Sequence, residues 1–390
     1  MNPHPLSCSI FSETYLPLLG GAEMYTYNFA KQLHLRGYTV TIFTHTKGTI
    51  SDEYKLEGVF VKNLPKVKKF QIFKIFQLYF QIIKIIKKAD LIFVNYTYTL
   101  STLVVLGKIF TRKPITVIAH GLGTIIDESH PKIYYFYRFV TLKLADKVIT
   151  ASEEIASIVK NFGKPVLIAT GVDFNTIDQS INLKHIETIK KEFSEKKIIL
   201  TVRRLVDKNG IQFLIEAIPF LLKIRNDFVY IIIGDGRLRK ELEKRVHELH
   251  LLEYIKFFGS IENHLVFDYI KSANVVVFPS SAEALSLAAI EVMHIGTPLL
   301  VSNIGGLREL VGYNAERGSV IDLFGRINSV YIPPDIHTLS QLTLHTFAEK
   351  LSKCMSESQE IQRKSLLAKQ FVDQRFSWDE VINTILNFVS

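Results

Sequence analysis

The sequence has few cysteines and no long uncharged apolar run. Its 390 residues include two cysteines, Cys8 and Cys354, which are too few for a zinc cluster or a disulfide framework. Sparse cysteine suits a reducing compartment. No stretch of about 18 apolar residues is free of charge, so the sequence predicts no membrane-spanning helix. The first residues lack the basic and then apolar order of a secretory signal, and we therefore expect a cytoplasmic protein.

Acidic residues are missing from one long stretch of the chain. The sequence carries 47 Lys and Arg against 38 Asp and Glu, a net charge of +9. Residues 58–89 hold eight lysines and no acid, which nearly accounts for the excess. Such a local basic block favours an anionic partner, either a membrane surface or a nucleic acid. The sequence contains no recognised nucleic-acid-binding module, so we expect no nucleic-acid partner.

Short apolar runs rich in β-branched residues alternate with longer stretches of helical periodicity. Two such series are separated by the polar segment Asp173–Lys197, and this pattern predicts an α/β fold with two doubly wound, Rossmann-like parallel-sheet domains. The predicted domains are residues 1–173, completed by a C-terminal helix within 376–390, and residues 190–372. The predicted strands are Leu6–Ile10, Thr39–Thr44, Val59–Lys62, Leu91–Asn95, Ile115–Ala119, Lys147–Thr150, Val166–Ile168, Lys197–Val202, Val229–Ile233, Ile255–Phe258, Asn274–Phe278, Leu299–Ser302 and Ser329–Ile332.

Ligands of open α/β sheets bind beyond the carboxyl ends of the strands, so the residues just after each strand are the candidate site residues. Gly20 and Gly21 follow the first predicted strand and open a helix, where backbone N–H groups attract phosphate. An ordinary strand-to-helix turn has the same short glycine pattern. His120 follows the strand Ile115–Ala119 and could exchange a proton near neutrality, although a lone histidine is more often structural.

A basic loop follows the strand Lys197–Val202. Arg203 and Arg204 come directly after the strand, with Lys208 and Gly210 shortly beyond. Two cations at the carboxyl end of a strand could clamp a pyrophosphate, because arginine offers a bidentate fork and lysine a point charge. A solvated basic loop is the alternative interpretation.

Two glutamates, Glu283 and Glu291, follow the strand Asn274–Phe278 with seven residues between them. If both lie on one helix, eight positions place them on nearly the same face. The intervening segment is almost wholly apolar, and a buried carboxylate needs a partner. Sugar or ribose hydroxyls would suit it. An ion pair within the protein is the alternative.

In this order, the motifs resemble the family 4 retaining glycosyltransferases, which have the GT-B fold of two Rossmann-like domains facing a central cleft. The resemblance covers nearly the whole chain. The E-x7-E pattern followed by Gly-Thr-Pro is its most specific element. The other matching segments are GGAE at 20–23, His120, ADKVITAS at 145–152, GVD at 171–173, VRRL at 202–205, IGDG at 233–236, FFGSI at 257–261 and GGLRE at 305–309.

The resemblance implies a metal-independent retaining transfer of a sugar from a nucleotide-sugar donor, with no cofactor. Arg204 and Lys208 would hold the donor pyrophosphate, Glu291 the ribose hydroxyls, and Glu283 would face the donor sugar. The implied catalytic residues are Arg204, Lys208, His120 and Glu283. The implied donor-binding residues are Gly20, Gly21, Arg204, Lys208, Ser260, Ile261, Glu283, Ala284, Leu285, Ser286, Leu287 and Glu291.

This sequence departs from the family pattern in three places. Arg203 stands where the family has glycine, and Lys208 lies one position before the usual lysine. After Glu283, the residues Ala284-Leu285-Ser286 replace the usual Gly-Phe-Gly. The last of these departures concerns the donor sugar, whose identity the sequence leaves open.

The acceptor expected from the family is a lipid-linked glycan or another membrane-associated glycoconjugate. One segment supports a membrane partner. In Val67–Lys88 the polar residues recur every three or four positions as a narrow stripe, so the apolar arc is wider than one packing face needs. We therefore expect peripheral attachment to an anionic membrane, on its cytoplasmic face, although a deeply buried helix would show the same pattern. Alternative functions are an epimerase or phosphorylase on the same fold, or a non-catalytic basic protein that binds a membrane or nucleic acid.

Overall fold

The chain folds into two compact units. The first contains Met1–Gly171 and Trp378–Ser390, and the second contains Val172–Ser377. Our computed structural model describes residues 5–18, 21–46, 53–66, 71–95, 98–119, 132–324, 339–356 and 358–390.

The first unit is built on an eight-stranded sheet. Its strands are β1 Ser7–Ser12, β2 Thr39–Thr44, β3 Glu53–Leu56, β4 Val59–Asn63, β5 Leu91–Asn95, β6 Thr116–Ala119, β7 Lys147–Thr150 and β8 Val166–Ile168. Its helices are α1 Gly21–Leu35, α2 Ile72–Lys88, α3 Thr99–Thr111, α4 Lys132–Leu144, α5 Glu153–Lys160 and, at the end of the chain, α15 Trp378–Val389. The strand order is β3-β4-β2-β1-β5-β6-β7-β8, and only the β3–β4 pair is antiparallel. The central strands are buried along almost their whole length, as expected when helices cover both faces of a parallel sheet.

Helix α15 completes the core of the first unit. Its first residue, Trp378, packs with ring centroids 5.3 Å from Tyr25 and 6.3 Å from Phe29 on α1. A Cβ atom at Gly171 would lie 2.3 Å from the Trp378 ring, so this position has room only for glycine. Arg36 and Asp379 form an ion pair at 3.0 Å beside this contact. The last residues of the chain are therefore part of the unit that contains its first residues.

The second unit holds a six-stranded, fully parallel sheet in the order β11-β10-β9-β12-β13-β14. Its strands are β9 Lys197–Val202, β10 Phe228–Ile233, β11 Ile255–Gly259, β12 Val275–Phe278, β13 Leu299–Ser302 and β14 Ser319–Ile321. Its helices are α6 Phe174–Ser180, α7 Leu183–Glu192, α8 Ile211–Leu222, α9 Arg239–Glu248, α10 Asn263–Ser272, α11 Leu287–Ile295, α12 Gly305–Val311, α13 Gln341–Cys354 and α14 Gln359–Phe376. Two apolar clusters, one on each face of the sheet, form its core.

The predicted α/β fold class is confirmed, and most predicted strands lie within one or two residues of observed ones. Two observed strands, β3 and β14, were not predicted. The predicted strand Ser329–Ile332 falls outside the described residues. Within the described part of the chain, no helix is long and apolar enough to cross a membrane.

Candidate active site

The candidate site residues of the second unit lie on loops that follow its strands. The loops after β9 and β12 are joined because the backbone N–H of Ser281 donates to the carbonyl of Lys208 at 2.8 Å. They also approach closely at Gly210, whose φ is +70° and where a Cβ atom would lie 2.0 Å from the carbonyl oxygen of Pro279. Only glycine meets both conditions. The two loops therefore form one continuous surface at the carboxyl edge of the sheet.

The loop after β12 is also held from the side of α12. The backbone N–H of Gly306 donates to the carbonyl of Glu283 at 3.1 Å. A Cβ atom at Gly306 would lie 2.0 Å from the carbonyl oxygen of Ala284. This close approach fixes the backbone path of Glu283 and Ala284, although both glycines usual in this loop are absent.

The basic loop presents two cations. The Arg204 side chain is exposed and that of Lys208 partly so, and we find no ion pair or hydrogen bond of either side chain with the described residues. Their backbones are fixed, since Asn209 Nδ2 donates to the Arg204 carbonyl at 2.8 Å and Lys208 lies in a single 3-10 turn, Asp207–Asn209. The loop thus holds two charged groups in place for an anion.

Arg203 has a different environment from its neighbour. Its Nη1 lies 2.7 Å from Oε2 of Glu283, and its Nη2 donates to Oγ of Ser286 at 2.9 Å. The guanidinium also lies 4.4 Å from the ring centroid of Phe278. The sequence predicted that Arg203 and Arg204 could together clamp a pyrophosphate. In the structure, Arg203 is instead bound to Glu283 and Ser286. This pairing was not predicted from the sequence, where its one signal is an arginine at a position that the family fills with glycine.

The prediction that Glu283 and Glu291 share a helix is wrong. Helix α11 begins at Leu287, and Ser286 caps it by accepting a hydrogen bond from the backbone N–H of Ala289 at 3.2 Å. Glu283 lies in the preceding loop, where Arg203 and Gly306 hold it. The cap determines where the helix starts, and spacing alone could not reveal it. Ala284, Leu285 and Leu287 follow the same path between the glutamate and the first turn of α11.

Glu291 lies within α11 and is partly buried. We find no ion pair or hydrogen bond from its carboxylate to any residue that the structure describes. Burial raises its pKa from 4.5 to about 7, because the charged carboxylate loses hydration without gaining a partner. A pair of ligand hydroxyls would supply the missing partners.

The far end of α11 is held by a charged cluster. His294 Nδ1 lies 2.5 Å from Asp373 Oδ1, and its Nε2 lies 3.1 Å from Asp178 Oδ1. The Phe174 ring stacks on the imidazole at a centroid distance of 4.1 Å. These contacts tie α6 and α14 to α11 and so fix the helix that carries Glu291.

The remaining predicted site residues lie after β11, at the start of α1, or outside the described part of the chain. Ser260 and Ile261 follow β11 at the same edge of the second sheet, after Gly259, whose φ is +71°. In the first unit, Gly21 is the first residue of α1. Gly20 and His120 lie outside the described residues. Among the described residues, no group of three or more His, Cys, Asp or Glu is arranged to hold a metal ion.

Two family models match the chain. The one described as Glycosyltransferase Family 4 matches residues 19–176, and the one described as Glycosyl transferases group 1 matches residues 184–324. Together they cover every observed strand except β1 and include all of the candidate site residues.

Several known proteins are similar to this chain in sequence or structure. An uncharacterized glycosyltransferase of Methanocaldococcus jannaschii is 29% identical over 282 residues, which is 70% of this chain and 66%, just under two thirds, of that protein. The alpha-monoglucosyldiacylglycerol synthase of Streptococcus pneumoniae is 24% identical over 375 residues, 89% of this chain and 84% of that protein. Among solved structures, HepE of Anabaena in complex with UDP matches with a TM-score of 0.78 at 16% identity, over 98% of this chain and 99% of that one.

Proposed function

Since this chain belongs to the family 4 glycosyltransferases and has the GT-B fold, we propose that it transfers a sugar, with retention and without a metal ion, to a lipid-linked glycan or another membrane-associated glycoconjugate. Glycosyltransferase activity with a nucleotide-sugar donor follows from membership of this family. The stereochemistry, the metal independence and the acceptor are the proposed refinements.

The observation that carries the proposal is the set of groups at one sheet edge of the second unit. Arg204 and Lys208 offer two cations without a protein partner among the described residues. Glu291 offers a partly buried carboxylate that also has no ion pair or hydrogen bond with those residues. Cations suit a diphosphate, and a carboxylate suits a pair of ribose hydroxyls. HepE was solved with UDP bound, and we propose a nucleoside diphosphate as the leaving group here.

The proposed chemistry is electrostatic. Negative charge develops on the diphosphate as its bond to the anomeric carbon breaks, and fixed donors such as Arg204 and Lys208 would stabilise it. Arg203 pairs with Oε2 of Glu283, and this cation stabilises the charge of the carboxylate and so weakens it as a covalent nucleophile. We therefore propose that the acceptor hydroxyl attacks from the face of the leaving group. Its oxygen bonds to the anomeric carbon, and its proton passes to a diphosphate oxygen.

A screen of donors tests this function. The full-length protein is incubated with UDP- and GDP-hexoses and a polyprenyl-linked glycan or diacylglycerol acceptor, and nucleoside diphosphate release is measured. We expect release with one donor, a product that keeps the anomeric configuration by NMR, and the same rate in excess EDTA, because the cations are protein side chains.

Three outcomes would contradict parts of the proposal. A rate lost in EDTA and restored by magnesium or manganese would show that a metal is required. A modified sugar nucleotide formed from the donor alone would indicate an epimerase. An inverted product would rule out retention.

The proposed membrane contact rests on the exposed side of α2. Leu78, Ile82 and Ile86 of this helix are buried against the unit. Phe73, Phe76 and Phe80 are instead 74%, 56% and 61% exposed, so the wide apolar arc is divided between the core and the surface. Soluble proteins rarely leave so many large apolar groups together in water. For the described residues, the alternative of a deeply buried helix is therefore wrong.

The neighbouring helices extend this surface. On α3, Ile109 and Phe110 are both 64% exposed, and the Phe110 ring lies 6.1 Å from that of Tyr79 on α2. Phe136 and Phe139 on α4, which packs against α3, are also exposed. The exposed lysines of α2 are Lys74, Lys84, Lys87 and Lys88. Exposed aromatics flanked by lysines suit an anionic bilayer surface, and the S. pneumoniae relative is named for a glycolipid.

Liposome co-sedimentation tests the membrane contact. We expect the wild type to pellet with anionic vesicles and to be released by salt, since each lysine near the surface contributes about 1 kcal/mol. Changing Phe73, Phe76 and Phe80 to serine, or Lys74, Lys84, Lys87 and Lys88 to glutamine, should leave the protein in the supernatant. A matched control replaces the exposed Leu252 and Leu342 of the second unit by serine and should still pellet. A wild type that never pellets would refute the contact.

A further inference from the structure

Arg203 connects three parts of the second unit. It follows β9, contacts Glu283 in the loop after β12, and contacts Ser286 at the start of α11. Its guanidinium group lies over the ring of Phe278, the fully buried last residue of β12. One side chain of the basic loop therefore contacts both the Glu283 loop and the capped end of the helix that carries Glu291.

The backbone of Arg203 has little freedom to move away. Its N–H donates to the carbonyl of Ile233 at 3.0 Å. Its own carbonyl oxygen would lie 2.0 Å from a Cβ atom at Gly234, where φ is +131° and glycine is therefore required. The side chain starts from a fixed point and reaches Glu283 without a neighbouring loop having to rearrange.

The pair it forms is largely removed from water. The side chains of Arg203 and Glu283 are 12% and 15% exposed. At this burial, a carboxylate without a partner would be destabilising, and the guanidinium at 2.7 Å offsets that cost. The contact uses Oε2 of Glu283, while Oε1 makes no hydrogen bond or ion pair with the described residues.

We propose that Arg203 is a positioning residue of the donor-sugar subsite, which orients the Glu283 carboxylate so that Oε1 accepts a hydrogen bond from one hydroxyl of a neutral hexose. This inference rests on the function proposed above. Since the guanidinium is already neutralised by Glu283, the pair offers no uncompensated cation for an acidic sugar. Arg203 thus acts through Glu283, whereas Arg204 and Lys208 act on the diphosphate.

The test compares Arg203→Met with Arg203→Lys. The methionine variant keeps side-chain bulk over Phe278 but removes the charge, and the lysine variant keeps one charge. With the donor found in the screen, kcat and KM are measured at neutral pH, and UDP or GDP affinity is measured by calorimetry.

For Arg203→Met we expect kcat/KM to fall about 10- to 100-fold at neutral pH. Nucleotide affinity should stay within about twofold, since the groups that hold the diphosphate and ribose are untouched. Arg203→Lys keeps one charge opposite Glu283 and should restore most of the lost kcat/KM.

Two further variants separate positioning from folding. Arg245→Met removes another arginine of the same unit that pairs with a glutamate, Glu216, at 2.5 Å, and its kcat/KM should match that of the wild type. In a Glu283→Gln background, Arg203→Met should lower kcat/KM little further, because the two residues act as one unit.

A wild-type kcat/KM in Arg203→Met, or equal and additive losses in the double variant, would overturn the role of Arg203. If the wild type itself releases no nucleotide from any donor, the proposed function fails, and this inference fails with it. The two failures are thereby distinguished.

Discussion

Replacing Arg204 by alanine will lower sugar transfer by about 10- to 100-fold while the protein stays folded. The side chain is exposed and has no ion pair or hydrogen bond with the part of the chain that the structure describes, so its removal breaks no internal contact. A hydrogen bond to a charged group contributes about 1.5–3 kcal/mol, which corresponds to that range of rates. Initial rates at saturating acceptor measure the loss of transfer, and thermal unfolding shows whether the variant is folded.

Arg363→Ala is the matched control. Arg363 is another exposed arginine of the second unit, on α14, and its loss changes the net charge by the same amount. Its transfer rate should equal that of the wild type. An Arg204→Ala protein that is folded and fully active with every donor would show that the basic loop does not bind the diphosphate.

Glu291→Gln will remove a pH dependence that the wild type shows in donor binding. The pKa of Glu291 is raised to about 7, so below pH 7 the ligand-free protein holds this carboxyl group in its neutral form. Only the carboxylate accepts hydrogen bonds from both ribose hydroxyls. The dissociation constant of a nucleotide sugar should therefore rise by up to about tenfold per pH unit as pH falls from 7 to 5. The glutamine variant should bind more weakly at pH 8 and with a flat profile.

The same residue should affect stability with the opposite sign. The folded-state pKa of this acid lies above its ordinary value of 4.5, so between these values the folded chain binds more protons than the unfolded chain. Its contribution to the free energy of unfolding is then fully present below pH 4.5 and is lost as pH rises through 7. Denaturant titration of the ligand-free wild type and Glu291→Gln proteins across this range measures the difference. If the wild type and Glu291→Gln show the same pH profile of donor binding and the same pH profile of stability, the role assigned to Glu291 is ruled out.

The strands that could be predicted are those with a dense run of β-branched residues buried on both faces. β9 and β10 are examples, and their boundaries were found within one residue. β3 was missed because Glu53–Leu56 is a polar, half-exposed edge strand with two charges, and its pairing with β4 depends on the turn between them. β14 has only three residues, too few for a periodic signal.

The candidate site was less predictable than the fold. Arg204 and Lys208 lie after a strand, a position that sequence order reveals. The partner of Arg203 lies 80 residues further along the chain, and only the sheet order brings them together. The start of α11 was misplaced because Ser286 caps the helix, and serine is equally compatible with a loop. Side-chain contacts between loops depend on tertiary geometry that a single sequence does not encode locally.

The packing of Trp378 against Tyr25 and Phe29 has a consequence for how the chain is made. A ribosome releases the second unit, Val172–Ser377, in full before it releases the tryptophan that covers α1 of the first. During this interval the first unit holds an apolar surface without its final helix, and such nascent surfaces are prone to aggregation. A premature stop near the 3′ end of the coding sequence would therefore damage the unit that was synthesised first and leave the other with its complete sequence.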